Sequence, residues 1–147
     1  MTDYPLDKIM KHKRTMLLLD RVVSHTDNIV VAEVTISPAS TFFHDGHVPA
    51  WVGLEYAAQA VAAFSGIRAM ENNGESKVGF LLSCRRYICS RSAFKYGDVI
   101  TIHAQEEFND GNMGGYTCSL SIGGEEVASV TLSAYIPEKL NEMTGIQ

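Results

Sequence analysis

The chain has 147 residues, 46% of them hydrophobic and 20% charged, and a net charge of −5. That length suits one domain, residues 1–147, with a core large enough to stand without disulfides or metals, and the composition is that of an ordinary globular protein. The acidic balance lacks the basic footprint that phosphate backbones select, which argues against nucleic acid as a partner.

Residues 1–15 read as a polar lead, with one or two helical turns around Leu6 to Met10. No basic stretch followed by an apolar core stands there, so no signal peptide is expected and the cytoplasm is the expected location. Met16 to Val23 is apolar with Asp20-Arg21 set inside it, and predicts a strand; the Asp-Arg pair reads as a structural ion pair or loop anchor. Asp27-Asn28 marks a turn. From Asn28 to Ile36 the residues alternate, Ile29 and Val31 against Val30, Ala32, Val34 and Ile36, which is strand periodicity.

The stretch Thr41 to Gly66 organises the rest. It holds a loop with His44 and His47, then a long apolar segment from about Trp51 to Met70 whose few polar side chains include Glu55 and Gln59. A segment apolar on all sides predicts a buried helix, about 30 Å long at 1.5 Å per residue. It is too short and too interrupted for a membrane span, and Glu71-Asn72-Asn73-Gly74 supplies residues that end a helix. Glu55 and Gln59, four apart, share a face near the helix start. A carboxylate is costly to bury without partners, so Glu55 has either a structural partner or a chemical role. His47 lies just upstream, where a helix N-terminus offers unpaired N–H groups and the positive end of a dipole. An imidazole, an acid and free donors in one neighbourhood suit proton transfer beside a developing oxyanion. Spacing alone leaves the bland alternative open, a surface histidine and a satisfied structural acid. His44 and His47 supply only two metal ligands, with no third or fourth at suggestive spacing, so no metal site is expected. Trp51, Tyr56 and Phe64 read either as walls of an acyl tunnel or, more simply, as core.

Beyond the helix, Lys77 to Ile88 reads as β-rich and Asp98 to Phe108 alternates well. Asn109 to Gly115 is a turn cluster, and Tyr116 to Ile122 and Glu126 to Ile136 are strands joined by a Gly123-Gly124 hairpin, with Pro137 as the stop. Cys84, Cys89 and Cys118 are odd in number and read as free, mostly buried thiols. Lys77, Arg85, Arg86, Arg91 and Lys95 follow one another without an intervening acid, either a solvated face or a docking surface for an acidic partner. One long helix among five or six antiparallel strands is an α+β layout.

Several of these stretches, in order, resemble the 3-hydroxyacyl-[acyl-carrier-protein] dehydratases of fatty-acid and polyketide synthesis. Met16-Leu-Leu-Leu-Asp-Arg-Val22 is similar to that family's opening strand, and Phe42-Phe43 with Gly46-His47 to its Phe-Phe-x-Gly-His loop. Gly53-Leu54-Glu55 with Gln59 is similar to the helix motif carrying the catalytic acid, and Tyr96-Gly97-Asp98 stands where the family has Pro-Gly-Asp. The resemblance spans residues 12 to 136 and implies a hot-dog fold, an antiparallel sheet wrapped around one central helix. It implies His47 as general base, Glu55 as acid, Gln59 as its support, and backbone N–H groups near Ala50 and Trp51 polarising a thioester carbonyl, with no cofactor. It also implies a dimer in which each site takes histidine from one chain and acid from the other; a heterodimer with a related hot-dog subunit is the alternative. An acyl carrier protein is the implied partner, with Arg85, Arg86, Arg91 and Lys95 as its docking candidates.

Three departures accompany the resemblance. An extra residue between Phe43 and Gly46 lets His44 compete with His47 for the role of base. The segment between histidine and acid is about six residues shorter than in the family, and Pro49-Ala50 stands where the family has Pro-Gly. A hot-dog thioesterase, which would use the same acid to activate water, and a non-catalytic hot-dog subunit partnering an active dehydratase are the alternative readings.

Overall fold

The computed structural model describes residues 17–71, 81–110 and 113–135, with backbone only for Ala69, Leu81 and Leu82. The expected helical lead near Leu6, the helix stop at 72–74, the segment 77–80, Pro137 and the polar tail lie outside the described residues.

Among the described residues eight strands and one helix follow in order: β1 (Arg21–His25), β2 (Ile29–Thr35), β3 (His47–Pro49), α1 (Val52–Glu71), β4 (Leu81–Cys89), β5 (Ala93–Lys95), β6 (Val99–Asn109), β7 (Met113–Ile122) and β8 (Glu125–Tyr135). Six strands form one antiparallel sheet in the order β1-β2-β6-β7-β8-β4, and β3 pairs with β5 in a separate ribbon. This is the α+β, helix-on-sheet arrangement expected of a hot-dog fold.

The sheet takes its register from its alternating apolar positions, because a one-residue slip would turn every side chain to the other face. Val30, Ala32 and Val34 of β2, Ile100, Ile102 and Ala104 of β6, and Cys118 and Leu120 of β7 are all buried on one face. Leu132 and Val130 of β8 continue it. Against that face α1 lays Tyr56, Ala57, Ala60, Val61, Ala63, Phe64 and Ile67. Burying a side chain the size of Ile or Leu contributes about 1.5–3 kcal/mol, so this seam carries the fold.

Burial of α1 is not all-round, as its composition suggested. Leu54, Glu55, Ala58, Ala62, Ser65 and Arg68 are only half-buried, and Leu54, Ala58 and Ala62 still pack against the core, so this face is partly open to solvent in the single chain. Gly53 explains how the helix start comes so close to the sheet. A Cβ there would collide with the Tyr87 hydroxyl and press on Leu120 at 3.0 Å and Phe94 at 3.2 Å.

Several expectations need correction. The strand expected over Met16–Val23 begins only at Arg21, because the chain at 17–20 packs as an extended lead, with Leu18 and Leu19 buried in the core. Asp20 and Arg21 do not pair with each other: Asp20 Oδ2 accepts from Thr35 N–H at 2.7 Å, and Arg21 Nε donates to Glu33 at 3.2 Å. Both are anchors of β1 on β2. Cys84 is exposed and Cys89 half-buried; Cys118 alone fits the buried-thiol expectation, and burial pushes its thiol up to about 12.

Candidate active site

The loop carrying the two histidines is a hairpin. Asp45 and Gly46 have φ of 52° and 85°, and the N–H groups of His44 and His47 each donate to the other residue's carbonyl, at 2.9 and 3.2 Å. Asp-Gly is the pair that best tolerates positive φ at both centres of a two-residue turn. The extra residue in this loop is therefore what closes the turn. Past it, β3 runs antiparallel to β5 with His47 opposite Lys95, and Tyr96 N–H donates to Gly46 at 3.0 Å.

The hairpin treats its imidazoles differently. His47 Nδ1 lies 3.1 Å from the Asp45 carbonyl oxygen, which can only accept, so a neutral His47 carries its proton on Nδ1. Its Nε2 then keeps the lone pair, as a base requires. His44 Nε2 lies 3.2 Å from its neighbour Asp45 Oδ2, with both side chains largely in solvent.

From β3 the chain enters α1 through Ala50 and Trp51, and the peptide at Ala50 is clamped. Its N–H donates to Ser92 O at 3.2 Å; its carbonyl accepts from Gly53 N–H at 3.0 Å and from the Tyr87 hydroxyl at 2.5 Å. The Ala50 N–H expected to polarise a thioester is thus already engaged, a correction. Trp51 and Val52 N–H make no backbone hydrogen bond among the described residues, and they stand at the positive end of the helix. The Tyr87 hydroxyl is pushed up by burial, and further by its contact with Cys89, so it stays a donor. Neither Tyr87 nor Ser92 was singled out in the sequence. A lone tyrosine in a strand carries no signal there that its hydroxyl reaches a helix 37 residues away.

Glu55 sits in the first turn of α1 and is half-buried. Gln59, 1% exposed, donates from Nε2 to Glu55 Oε2 at 3.2 Å, while its Oε1 accepts Leu18 N–H at 2.8 Å. The Leu18 donor fixes which way the amide faces, because only its oxygen can answer an N–H. Its NH2 is thereby aimed at Glu55.

The aromatic residues divide. Tyr56 and Phe64 are core, and burial, with the Asp20 charge adding, pushes the Tyr56 hydroxyl up to about 12. Trp51 is 59% exposed and meets Phe42 edge-on at 5.0 Å, a correction to its reading as core. The two rings form an apolar lip beside the hairpin.

The basic residues do not gather in one place. Arg85 and Arg86 are on β4, Arg91 is 3.9 Å from Asp98, and Lys95 stands across the ribbon from His47. Arg68, a polar exception within the apolar helix, forms two 3.1 Å hydrogen bonds with Glu106, which also accepts from Tyr116 at 3.0 Å. This network ties the helix end to β6 and β7. No group of three metal-ligating side chains occurs among the described residues, nor any helix long and apolar enough to cross a membrane.

Comparison with known proteins agrees with the fold. The chain is 28% identical over 142 residues to a 3-hydroxyacyl-[acyl-carrier-protein] dehydratase FabZ of Chlamydia trachomatis, covering 91% of each. It is 26% identical over 140 residues to the FabZ of Acidiphilium cryptum, covering 90% of this chain and 82% of that one. Among solved structures, the dehydratase heterocomplex ApeI:P from Xenorhabdus doucetiae superposes with a TM-score of 0.88 at 29% identity, over 99% of both chains. The model of the ApeP-like family, described as ApeP dehydratase, matches residues 4–145. With nearly its whole length matched, the chain belongs to the ApeP-like dehydratase family.

Proposed function

We propose that this protein removes water from a 3-hydroxyacyl thioester held on an acyl carrier protein, giving the 2-enoyl thioester in fatty-acid or polyketide/polyene-type biosynthesis. The observation that carries the reading is the 3.1 Å contact of His47 Nδ1 with the Asp45 carbonyl oxygen; as a hydrogen bond it puts the proton of a neutral ring on Nδ1 and leaves Nε2 to take a proton. The FabZ relatives support the substrate class.

In the proposed reaction His47 Nε2 accepts the C2 proton. The electron pair of that C–H bond becomes the C2=C3 double bond as the C3–O bond breaks, and the oxygen leaves as water with a proton from Glu55. The thioester oxygen gains negative charge on the way, and the Trp51 and Val52 N–H groups at the helix start would receive it. Gln59 is a positioning residue that holds Glu55 in place. Acid–base chemistry of this kind needs no cofactor. Each site would take His47 from one chain and the acid from a neighbour's helix, and the half-buried small-residue face of α1 would receive that second helix. Lys95, beside His47, and Arg91 would meet the carrier protein.

The ApeI:P structure, a heterocomplex, favours a second reading in which this chain works only beside an unlike dehydratase subunit. The test follows a 3-hydroxyacyl carrier protein by mass spectrometry, with free thiol measured in parallel. Enoyl product that disappears in His47→Ala and survives in His44→Ala supports the proposal. Free thiol without enoyl product would replace it with a thioesterase.

A further inference from the structure

Two β-bulges stand on either side of the β7–β8 pair. In β6 the extra residue is Glu107, between Glu106, which pairs with Tyr116, and Phe108, which pairs with Gly115. In β4 it is Arg85, since Cys84 pairs with Leu132 and Arg86 with Thr131. A bulge re-aims a side chain, and bulges gather beside binding sites. Here both extra residues line one cleft of about 290 Å³, and they carry opposite charges.

The cleft opens on the face of the sheet away from α1. Its floor holds Thr117 of β7 with Thr131 and Ser133 of β8, which alternate with Cys118, Val130 and Leu132 on the core face. It is therefore separate from the site at His47 and Glu55. The Phe108 ring, 47% exposed, lies in the space that a Cβ on Gly115 would fill, and it forms an apolar wall with Met113. The polar side chains named here have no partner among the described residues: Arg85 and Glu107 form no ion pair, and Thr117, Thr131 and Ser133 make no side-chain hydrogen bond. Ser133 is the telling one, at 7% exposed, because a hydroxyl buried that deeply is ordinarily paired.

Opposite charges that share a cleft without meeting suit a molecule that carries both. Three strand spacings of about 4.8 Å set the backbones of β6 and β4 about 14 Å apart, so one small molecule can lie between the two side chains. A carboxylate matches the donor fork of Arg85, and the three hydroxyls can donate to its oxygens as well. An ammonium matches Glu107. An apolar body would rest on Phe108 and Met113. Ligand pockets run from roughly 300 Å³ upward, so this cleft admits a small metabolite and nothing larger.

We infer that this cleft binds a free α-amino acid with an apolar side chain, its carboxylate on Arg85 and the Thr117, Thr131 and Ser133 hydroxyls, its ammonium on Glu107. Such a site does not depend on the dehydratase chemistry proposed above. It takes Arg85 out of the carrier-docking set.

The test is isothermal titration calorimetry of L-phenylalanine into the full chain, without thioester, so its failure is separate from failure of the dehydratase reading. Saturable binding in the micromolar to low-millimolar range is expected. The analogue 3-phenylpropionate lacks the ammonium and 2-phenylethylamine lacks the carboxylate; each should bind about tenfold more weakly. Both comparisons use wild-type protein, so no variant has to fold. Arg85→Gln should weaken L-phenylalanine about tenfold and remove its advantage over 2-phenylethylamine, and Glu107→Gln should remove its advantage over 3-phenylpropionate. Ser133→Ala should weaken both carboxylate ligands and spare the amine. Absence of saturable L-phenylalanine binding at millimolar concentration would overturn the inference. So would a single-charge analogue that binds the wild type as tightly as L-phenylalanine, or binding that neither charge substitution changes.

Discussion

Replacing Gln59 by Met separates the positioning of the acid from the acid itself. Gln59 is almost fully buried and spends both ends of its amide, Oε1 on Leu18 N–H at 2.8 Å and Nε2 on Glu55 at 3.2 Å. Methionine fills nearly the same volume, so little cavity arises and the loss is polar. The Leu18 N–H is buried and loses this acceptor, which costs about 1–3 kcal/mol. For a chain of this size each kcal/mol moves the midpoint by about 2–4 °C, so a fall of about 2–12 °C is expected in calorimetry. Turnover should fall as well, because Glu55 loses the donor that aims it. Glu55→Gln should lower turnover with a smaller change in midpoint, since Gln59 can turn no further without abandoning Leu18. A Gln59→Met protein that keeps its midpoint within about 1 °C, on the same scale, and its full turnover would refute the reasoning.

Other consequences follow from the same geometry. Tyr87→Phe removes one of two donors to the Ala50 carbonyl, and Gly53 N–H remains; the stability cost should be only about 0.5–1.5 kcal/mol, while kcat falls more than KM rises as the helix start loosens. Gly53→Ala sets a methyl group against Tyr87, Leu120 and Phe94, and urea unfolding should show about 1–3 kcal/mol lost to overpacking. Burial raises the Glu106 carboxyl, but hydrogen bonds from Arg68, Asn109 and Tyr116 outweigh it and hold it below the ordinary 4.5. Its contribution to stability is therefore full above that value and lost as pH falls through the lowered pKa, and Glu106→Gln should flatten this acid limb in pH-dependent unfolding.

Much of the architecture was legible because it rests on periodicity. The alternation of β2, β6 and β7 and the apolar run of α1 report burial directly, and the predicted elements coincide with the observed ones to within a few residues over most of their length. The β3–β5 ribbon was not legible. Three-residue strands contain too little alternation to read, and their pairing joins residues nearly 50 positions apart. The Gln59–Glu55 contact followed from helical spacing, whereas the Leu18 anchor that orients it did not. The Ala50 peptide illustrates the limit in another way. Its place before a helix suggested a free donor, but the partner that occupies it comes from Ser92, a distant loop residue.

The central claim, that His47 moves the C2 proton, is tested most directly by running the reaction backwards in D2O. The 2-enoyl carrier protein is incubated with the chain, and the 3-hydroxyacyl product is read by mass spectrometry. The account predicts one solvent deuterium at C2 with wild-type histidine, unchanged in His44→Ala and lost when His47→Ala is present in every chain. Deuterated product formed at an undiminished rate by His47→Ala would contradict it.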